Sequence, residues 1–384
     1  MLALIRALIA PLLSLILLIA ASGLFNTFVS VRLEVEGYDP EVIGFVTSAL
    51  YGGILLGSLR IDRWIAKVGH IRSFIVFAAA SAVLVLAQSF WINPWYWAIL
   101  RLFGGVCMAG IFIAIESWML MLGTTKTRGA ILSLYLGIFY GALTLGQFLF
   151  NFTGVHGFLP FGMTTFLCLL SILPLTLKKI AEPVIEHSTS LSLGQLFRLS
   201  PFGFGGGVIS GMVLAVIYGL VPVYAREIGL SIPQIGNLMA VIIFGGLSLQ
   251  WPLGRWADGG KRRRILSIVS FLSALFSLSI ALVDYHSLTL LLLFAWCFGG
   301  FAFTLYPLSM AYTCERVQDH QIIAATGGFV LSYGIGAIAG PLLAPLAMDL
   351  FGNPGLFYFL SGISLLLGLL GLIDRAEDPV APEE

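Results

Sequence analysis

The sequence predicts an all-α membrane protein of twelve transmembrane helices in two pseudo-symmetric six-helix halves. Three observations lead there. The chain is 59% hydrophobic and only 10% charged, with a mean hydropathy of +0.99, whereas soluble globular chains carry about 25% charged residues. Apolar runs long enough to cross a bilayer, about 20 residues each, recur about twelve times along it. One residue pattern also returns half a chain later. Gly37, Asp39, Ile43 and Gly44 come back as Gly229, Ser231, Ile235 and Gly236, a shift of 192 residues. Gly52-Gly53 comes back as Gly245-Gly246, and Tyr140-Gly141 as Tyr333-Gly334, shifted by 193. A unit this long, repeated once, is a fused pair and not a solenoid. In so apolar a chain it points to a transporter with its site between the halves.

The elements follow in order. The first run, 8–31, follows Arg6 and has the look of a secretory signal, with Ala20-Ala21-Ser22-Gly23 as an apparent cleavage site. Its length and the eleven runs behind it make it a retained span. Further runs near 41–63, 71–92, 95–120, 129–152 and 158–177 complete an N-terminal half over residues 1–178. The hydrophilic stretch 179–200 reads as a cytoplasmic linker, in which Leu193, Leu196, Phe197 and Leu199 form a short apolar face suited to a membrane surface. Runs near 202–225, 232–254, 265–284, 287–312, 321–350 and 354–373 make the C-terminal half, 201–375. The acidic tail, 376–384, is broken by Pro379 and Pro382 and is expected to be disordered.

Basic residues set the expected orientation. With the amino terminus in the cytoplasm, seventeen of the 20 Lys and Arg fall on that side, two (Arg32 and Arg226) on the other, and Arg101 within a span. That is a strong positive-inside bias, and it places both termini in the cytoplasm. The multi-pass chain is thereby assigned to the cell inner (plasma) membrane. The net charge of +1 hides the asymmetry and does not point to nucleic acid, because the basic loops are short and lack interleaved aromatics. Cys107, Cys168, Cys297 and Cys314 lie in or at the ends of apolar runs without a CxxC pair, so neither a metal site nor a disulfide framework is indicated.

The loop after the eighth span reads Gly254-Arg255-Trp256-Ala257-Asp258-Gly259-Gly260-Lys261-Arg262-Arg263-Arg264. Its glycine permits close helix approach, Asp258 accepts from donors at a helix end, and the basic run holds the loop at an anionic leaflet. Here the chain resembles the major facilitator superfamily, which carries a G-x-x-x-D-x-x-G-R-R/K motif after the second helix of each half. Lys261 stands where the motif has its last glycine. The first-half copy is looser: Gly57, Asp62, Arg63, Gly69, His70 and Arg72, with Lys67-Val68 inserted. The resemblance implies an inner gate in which Glu116 pairs with Arg63 or Arg72, and Glu315 with Arg255 or Arg262. An anchor would use the same pairs, and a gate differs only in having two states.

In the fourth span, Arg101 is followed by Gly104-Gly105 and Ala109-Gly110, which resembles the superfamily's R-x-x-x-G motif. A charge inside an apolar span faces the bundle interior and is a functional candidate by default. It lies about 6 residues, roughly 9 Å, from the outer end of its helix. It is suited to clamp a carboxylate or phosphate, or to organise a proton-linked network. The competing readings are snorkelling to the outer interface and pairing with Glu34 or Glu36. Glycine pairs at small-xxx-small spacing, Gly53/Gly57, Gly137/Gly141 and Gly336/Gly340, predict close helix crossings. By the superfamily's arrangement, the first, second, fourth and fifth helices of each half face the centre. The candidate solute cavity therefore holds Asn26, Arg101, Tyr140, Gln147, Tyr218, Gln250, Tyr306 and Tyr333, with Thr27, Thr144 and Trp251 beside them.

Further segments are similar to the YcaD-like bacterial branch of that superfamily: Leu24 to Thr27, Glu116-Ser117, Gln250 to Arg255, Phe303 to Pro307 and Cys314 to Val317. The resemblance brings no substrate with it. The expected function is secondary transport of a small molecule by alternating access, without cofactor or metal, as a monomer in the lipid bilayer. A channel filter signature and the motifs of a membrane enzyme are both missing. A non-transporting sensor on the same scaffold stays open. Arg101 favours an anionic or neutral solute over a cation. The coupling ion, proton or sodium, is open as well. No Asp, Glu or His lies near the middle of a span, which weakens proton-linked drug export. The drug exporters' Gly-Pro pattern in the fifth helix is also absent, while Gly340-Pro341 stands in the eleventh.

Overall fold

The computed structural model describes residues 2–122, 128–176, 193–257, 262–283, 287–317 and 322–374. The described residues are mainly helical. They form α1 (Leu2–Val35), α2 (Pro40–Ser58), α3 (Ile61–Val68), α4 (His70–Gln88), α5 (Pro94–Leu122), α6 (Arg128–Thr153), α7 (Leu159–Leu170) and α8 (Leu173–Thr176). After these come α9 (Leu193–Leu199), α10 (Pro201–Glu227), α11 (Ile232–Ala257), α12 (Arg262–Leu282), α13 (Leu288–Cys314), α14 (Ile322–Phe351) and α15 (Gly355–Ile373). Twelve stretches among them are long and apolar enough to cross a membrane, from Leu8–Val35 to Gly355–Ile373. Apolar side chains stand exposed on their outer faces, Val83 at 65%, Ile99 at 58% and Leu372 at 68%. Water would penalise such faces, whereas hydrocarbon accepts them.

The chain divides into two compact units, one of Met1–His187 with Ser231–Ala240, the other of Ser188–Leu230 with Val241–Glu384. Within the first, α1 packs on α6 and α2 on α5; within the second, α10 packs on α14 and α12 on α15. The crossings are set by missing side chains. A Cβ on Gly53 of α2 would lie 1.9 Å from the Leu102 carbonyl oxygen of α5, and one on Gly336 of α14 would lie 1.8 Å from the Val208 oxygen of α10. Those backbones touch because glycine lets them. Gly137 and Gly141 correct the sequence expectation, since a Cβ on either would meet nothing within 4 Å. The α1–α6 seam uses Gly23 and Gly146 instead, with the latter's Cβ position 2.4 Å from the Ala20 oxygen.

The repeat seen in the sequence is a repeat of backbone. Gly37 and Gly229 both adopt positive φ, 83° and 85°. The Gly37 N–H donates to the Glu34 carbonyl at 2.9 Å and the Tyr38 N–H to that of Leu33 at 3.1 Å. At the end of α10 the Gly229 N–H donates to Arg226 at 2.9 Å and the Leu230 N–H to Ala225 at 3.0 Å. Each is a Schellman stop, and each needs a residue without a Cβ.

Three other expectations need correction. The second run does not continue to 63: α2 stops at Ser58, and the polar stretch after it folds into the separate α3. His70 is the first residue of α4 and is buried, not a loop residue. The α9 face does not lie wholly outward, because Leu196 is fully buried against Ala325 and Phe329 of α14, leaving Phe197 and Leu199 exposed. The rest of the expected linker and the 376–384 tail lie outside the described residues.

Candidate solute site and cytoplasmic ion pairs

The first unit builds a site around Arg101 from the start of α5. Pro94 opens this helix, and Asn93 caps it, its Oδ1 accepting from the backbone N–H of Trp95 at 3.0 Å and of Tyr96 at 3.1 Å. Trp97 is fully buried, and its indole N–H donates to the Gln88 and Trp91 carbonyls, both at 3.0 Å. That fixes α5 against the end of α4. Arg101 follows four residues later on the same helix face, so its guanidinium is carried into the bundle, 7% exposed. One of its Nη groups donates to Asn26 Oδ1 at 2.7 Å, and the Phe25 ring centroid is 5.9 Å away. Asn26 in turn donates to Ser22 Oγ at 3.4 Å.

No carboxylate pairs with Arg101 among the described residues. Glu36, one of the two acids expected to reach it, instead accepts from Arg32 Nε at 2.8 Å. Arg101 Nε is buried without an acceptor. Beside it lies a cavity of about 60 Å³ lined by Asn26, Ser22, Ser81, Gln88, Thr164 and apolar side chains of α1, α2, α4, α5 and α7.

The other candidates divide. Gln147 is 1% exposed; the Thr27 hydroxyl donates to its Oε1 at 2.8 Å, and its Nε2 donates to the Gly23 carbonyl at 3.0 Å. This amide ties α6 to α1. Tyr140 lies two turns earlier on α6 and is also buried. In the second unit, Tyr306 meets Tyr333 edge to face at 5.1 Å and Phe329 at 5.3 Å. Tyr218 meets Phe303 at 5.9 Å. These half-buried phenols form an aromatic patch on α10, α13 and α14, while Gln250 stands partly buried on α11.

The two copies of the loop motif differ. In the second unit Arg262 Nη1 lies 2.8 Å from Glu315 Oε1, and Arg255 stacks on Trp251 at 4.9 Å. Asp258 lies outside the described residues. Nearby, Tyr312 donates to the Asp374 carboxylate, Arg263 donates to the Asp374 carbonyl, and Arg316 lies 4.4 Å from the Tyr312 ring centroid. In the first unit, Glu116 has no ion pair with Arg63 or Arg72 among the described residues, so the pairing expected there is not made in this conformation. The cause is α3. It buries Ile61 and Ile65 against Ala109 and Ala114 of α5, which leaves Arg63 on its exposed side with Asp62 partly buried; Arg72, on α4, is exposed as well.

The Arg262–Glu315 side chains are 23% and 28% exposed, and ion pairs at such wet edges contribute only about 0–1 kcal/mol. Glu315→Gln is therefore expected to lower stability by no more than about 1 kcal/mol, read as a small shift in the unfolding midpoint that shrinks in high salt.

The Major Facilitator Superfamily family model matches residues 203–384. The "Uncharacterized MFS-type transporter YcaD" of Escherichia coli O9:H4 (strain HS) is 32% identical over 371 residues, covering 95% of each chain. The chain belongs to the major facilitator superfamily. Solved structures agree on the fold of this superfamily member: a D-xylose-proton symporter has a TM-score of 0.79 at 14% identity, covering 97% of this chain and 98% of its own. The nucleoside transporter NupG has a TM-score of 0.78 at 13% identity, covering 96% and 98%. As a member of this transporter superfamily, the protein is a multi-pass membrane protein, with twelve candidate spans among the described residues, and a secondary transporter.

Several residues of the Arg101 site escaped the sequence reading of this superfamily member. Ser81 and Gln88 belong to the third span, which the superfamily arrangement places away from the centre. The available signal was the amide of Gln88 near the end of an apolar run, a group that needs a partner once buried.

Proposed function

We propose that the protein moves a small anionic or neutral solute across the cell inner membrane by alternating access, its two six-helix halves rocking as rigid pieces. Both termini lie in the cytoplasm in this reading, which the distribution of basic residues supports. The observation that carries the reading is the doubled construction. Each half stops its first helix with the same glycine turn, and each joins its helices through backbone contacts that leave no room for a Cβ. Rigid halves of like build suit a rocking transporter. Arg101, a buried cation without a carboxylate partner among the described residues, favours anionic or neutral cargo. The test is uptake by proteoliposomes of labelled anionic, neutral and cationic solutes, with counterflow against internal cold solute. Accumulation or exchange of an anionic or neutral solute supports the reading. Binding without flux would instead make the protein a sensor.

A proton-linked variant draws on one further observation. Glu116 is partly buried near the end of α5 and has no partner among the described residues, so it is available to exchange a proton. If it couples transport, Glu116→Gln abolishes uptake driven by an imposed pH gradient and spares counterflow, which needs no net proton movement. Equal loss of both activities would remove Glu116 from coupling.

A further inference from the structure

We propose that the first unit holds a small inorganic anion of halide size as the counter-ion of Arg101. Moving a guanidinium out of water costs several kcal/mol unless an opposite charge and hydrogen bonds replace the solvent. Arg101 is 7% exposed and lies in an apolar span, yet its neighbours are neutral. Asn26 takes one hydrogen bond at 2.7 Å, and the Phe25 ring lies at 5.9 Å. A guanidinium has five N–H donors, and here Nε is buried with no acceptor at all. Both acids that might have neutralised it lie elsewhere: Glu36 is held by Arg32, and Glu34 forms no ion pair with Arg101.

The space beside Arg101 decides the size of the ligand. The cavity is about 60 Å³, and a water needs about 10–15 Å³ of such space, so it has room for only a few water-sized particles. Pockets for organic metabolites are typically about 300–1,000 Å³. Water would satisfy donors but not the charge, and a single compact anion does both. Ser81 lines the same cavity, its buried hydroxyl beside the Cys107 thiol, a second donor for the anion. The Gln88 amide oxygen, also buried without a partner, can only accept and so marks the place of an accompanying water. The sign of the ion follows from the Arg101 guanidinium itself, so this inference does not rest on the transport reading. With Arg101 neutralised by a resident ion, the neutral cargo of the proposed function is the branch this residue still supports.

The test is equilibrium binding of radiolabelled chloride to the purified full-length chain, with no transport in the readout. Unfolding midpoints would be compared in chloride, bromide and gluconate at equal ionic strength. The expected result is saturable chloride binding, competed by bromide and not by gluconate, with a higher midpoint in either halide. Binding should weaken about tenfold or more in Arg101→Gln, a loss of roughly 1.4 kcal/mol, and less in Ser81→Ala. The proposal is overturned if the wild-type chain shows no saturable halide binding, a result that does not depend on any variant folding. It is equally overturned if binding is unchanged in Arg101→Gln, which would mean an adventitious ion only. Failure of halide binding would leave flux of a larger solute untouched, so the two readings fail separately.

Discussion

Gly336→Ala is expected to destabilise the protein more than any other single-methyl change. The added carbon would lie 1.8 Å from the Val208 carbonyl oxygen, and backbone has no rotamer by which to retreat. To make room, α10 and α14 must part along the most extensive seam of the second unit. Overpacking a tight core costs about 1–3 kcal/mol, occasionally more. A backbone clash on two helices belongs at or beyond the top of that range, against a helix-propensity gain of only about 1 kcal/mol. The internal control is Gly141→Ala on α6, where the new methyl meets nothing within 4 Å. There the propensity term stands alone, and the midpoint should hold or rise. Thermal unfolding of both variants in one detergent checks this. Equal behaviour of the two would refute the assignment of glycine roles.

Asn26→Leu should have the second-largest effect, because it takes away the side-chain acceptor of a buried guanidinium. Hydrogen bonds to charged groups contribute about 1.5–3 kcal/mol, and the loss here should fall in that range. Arg101→Met alone removes the charge and leaves a neutral amide that still bonds Ser22, so it should be milder. The double variant should be more stable than the sum of the two single losses predicts. A coupling energy of about 0.5–3 kcal/mol is the signature of contacting partners. Additive losses would mean that the 2.7 Å contact does not hold Arg101 in place.

What the sequence made legible was whatever depends on composition and offset. All twelve spans follow from runs of apolar residues, and the turns at Gly37 and Gly229 follow from a repeat that any reader of the letters can align. What it hid was rotation about each helix axis. Gly137/Gly141 and Gly336/Gly340 share one spacing, yet the first pair faces open space and the second faces another backbone. Spacing fixes which residues share a face and not what that face meets. Gln147 had the same ambiguity, and the structure turns it toward Thr27 and Gly23. Glu116 was expected to pair because the motif puts basic residues nearby. That stretch forms the amphipathic α3, whose buried face is Ile61 and Ile65 and not its arginine. Arg101 was visible as a charge in an apolar run, but its neutral partner Asn26 is 75 residues away.

The short helix α9 bears on how the chain is to be divided. Leu196 is fully enclosed by Ala325 and Phe329, and Phe197 stacks edge-on to Phe204 at 5.5 Å. These seven residues are thus part of the second unit's packing, although composition assigns them to the tether. A severed pair of polypeptides, made as separate translation products, would keep this hydrophobic plug with its own partner only if the break falls before Leu193. Cut after Leu199, the downstream fragment would start with an uncovered Phe329, a sticky surface inviting aggregation at birth.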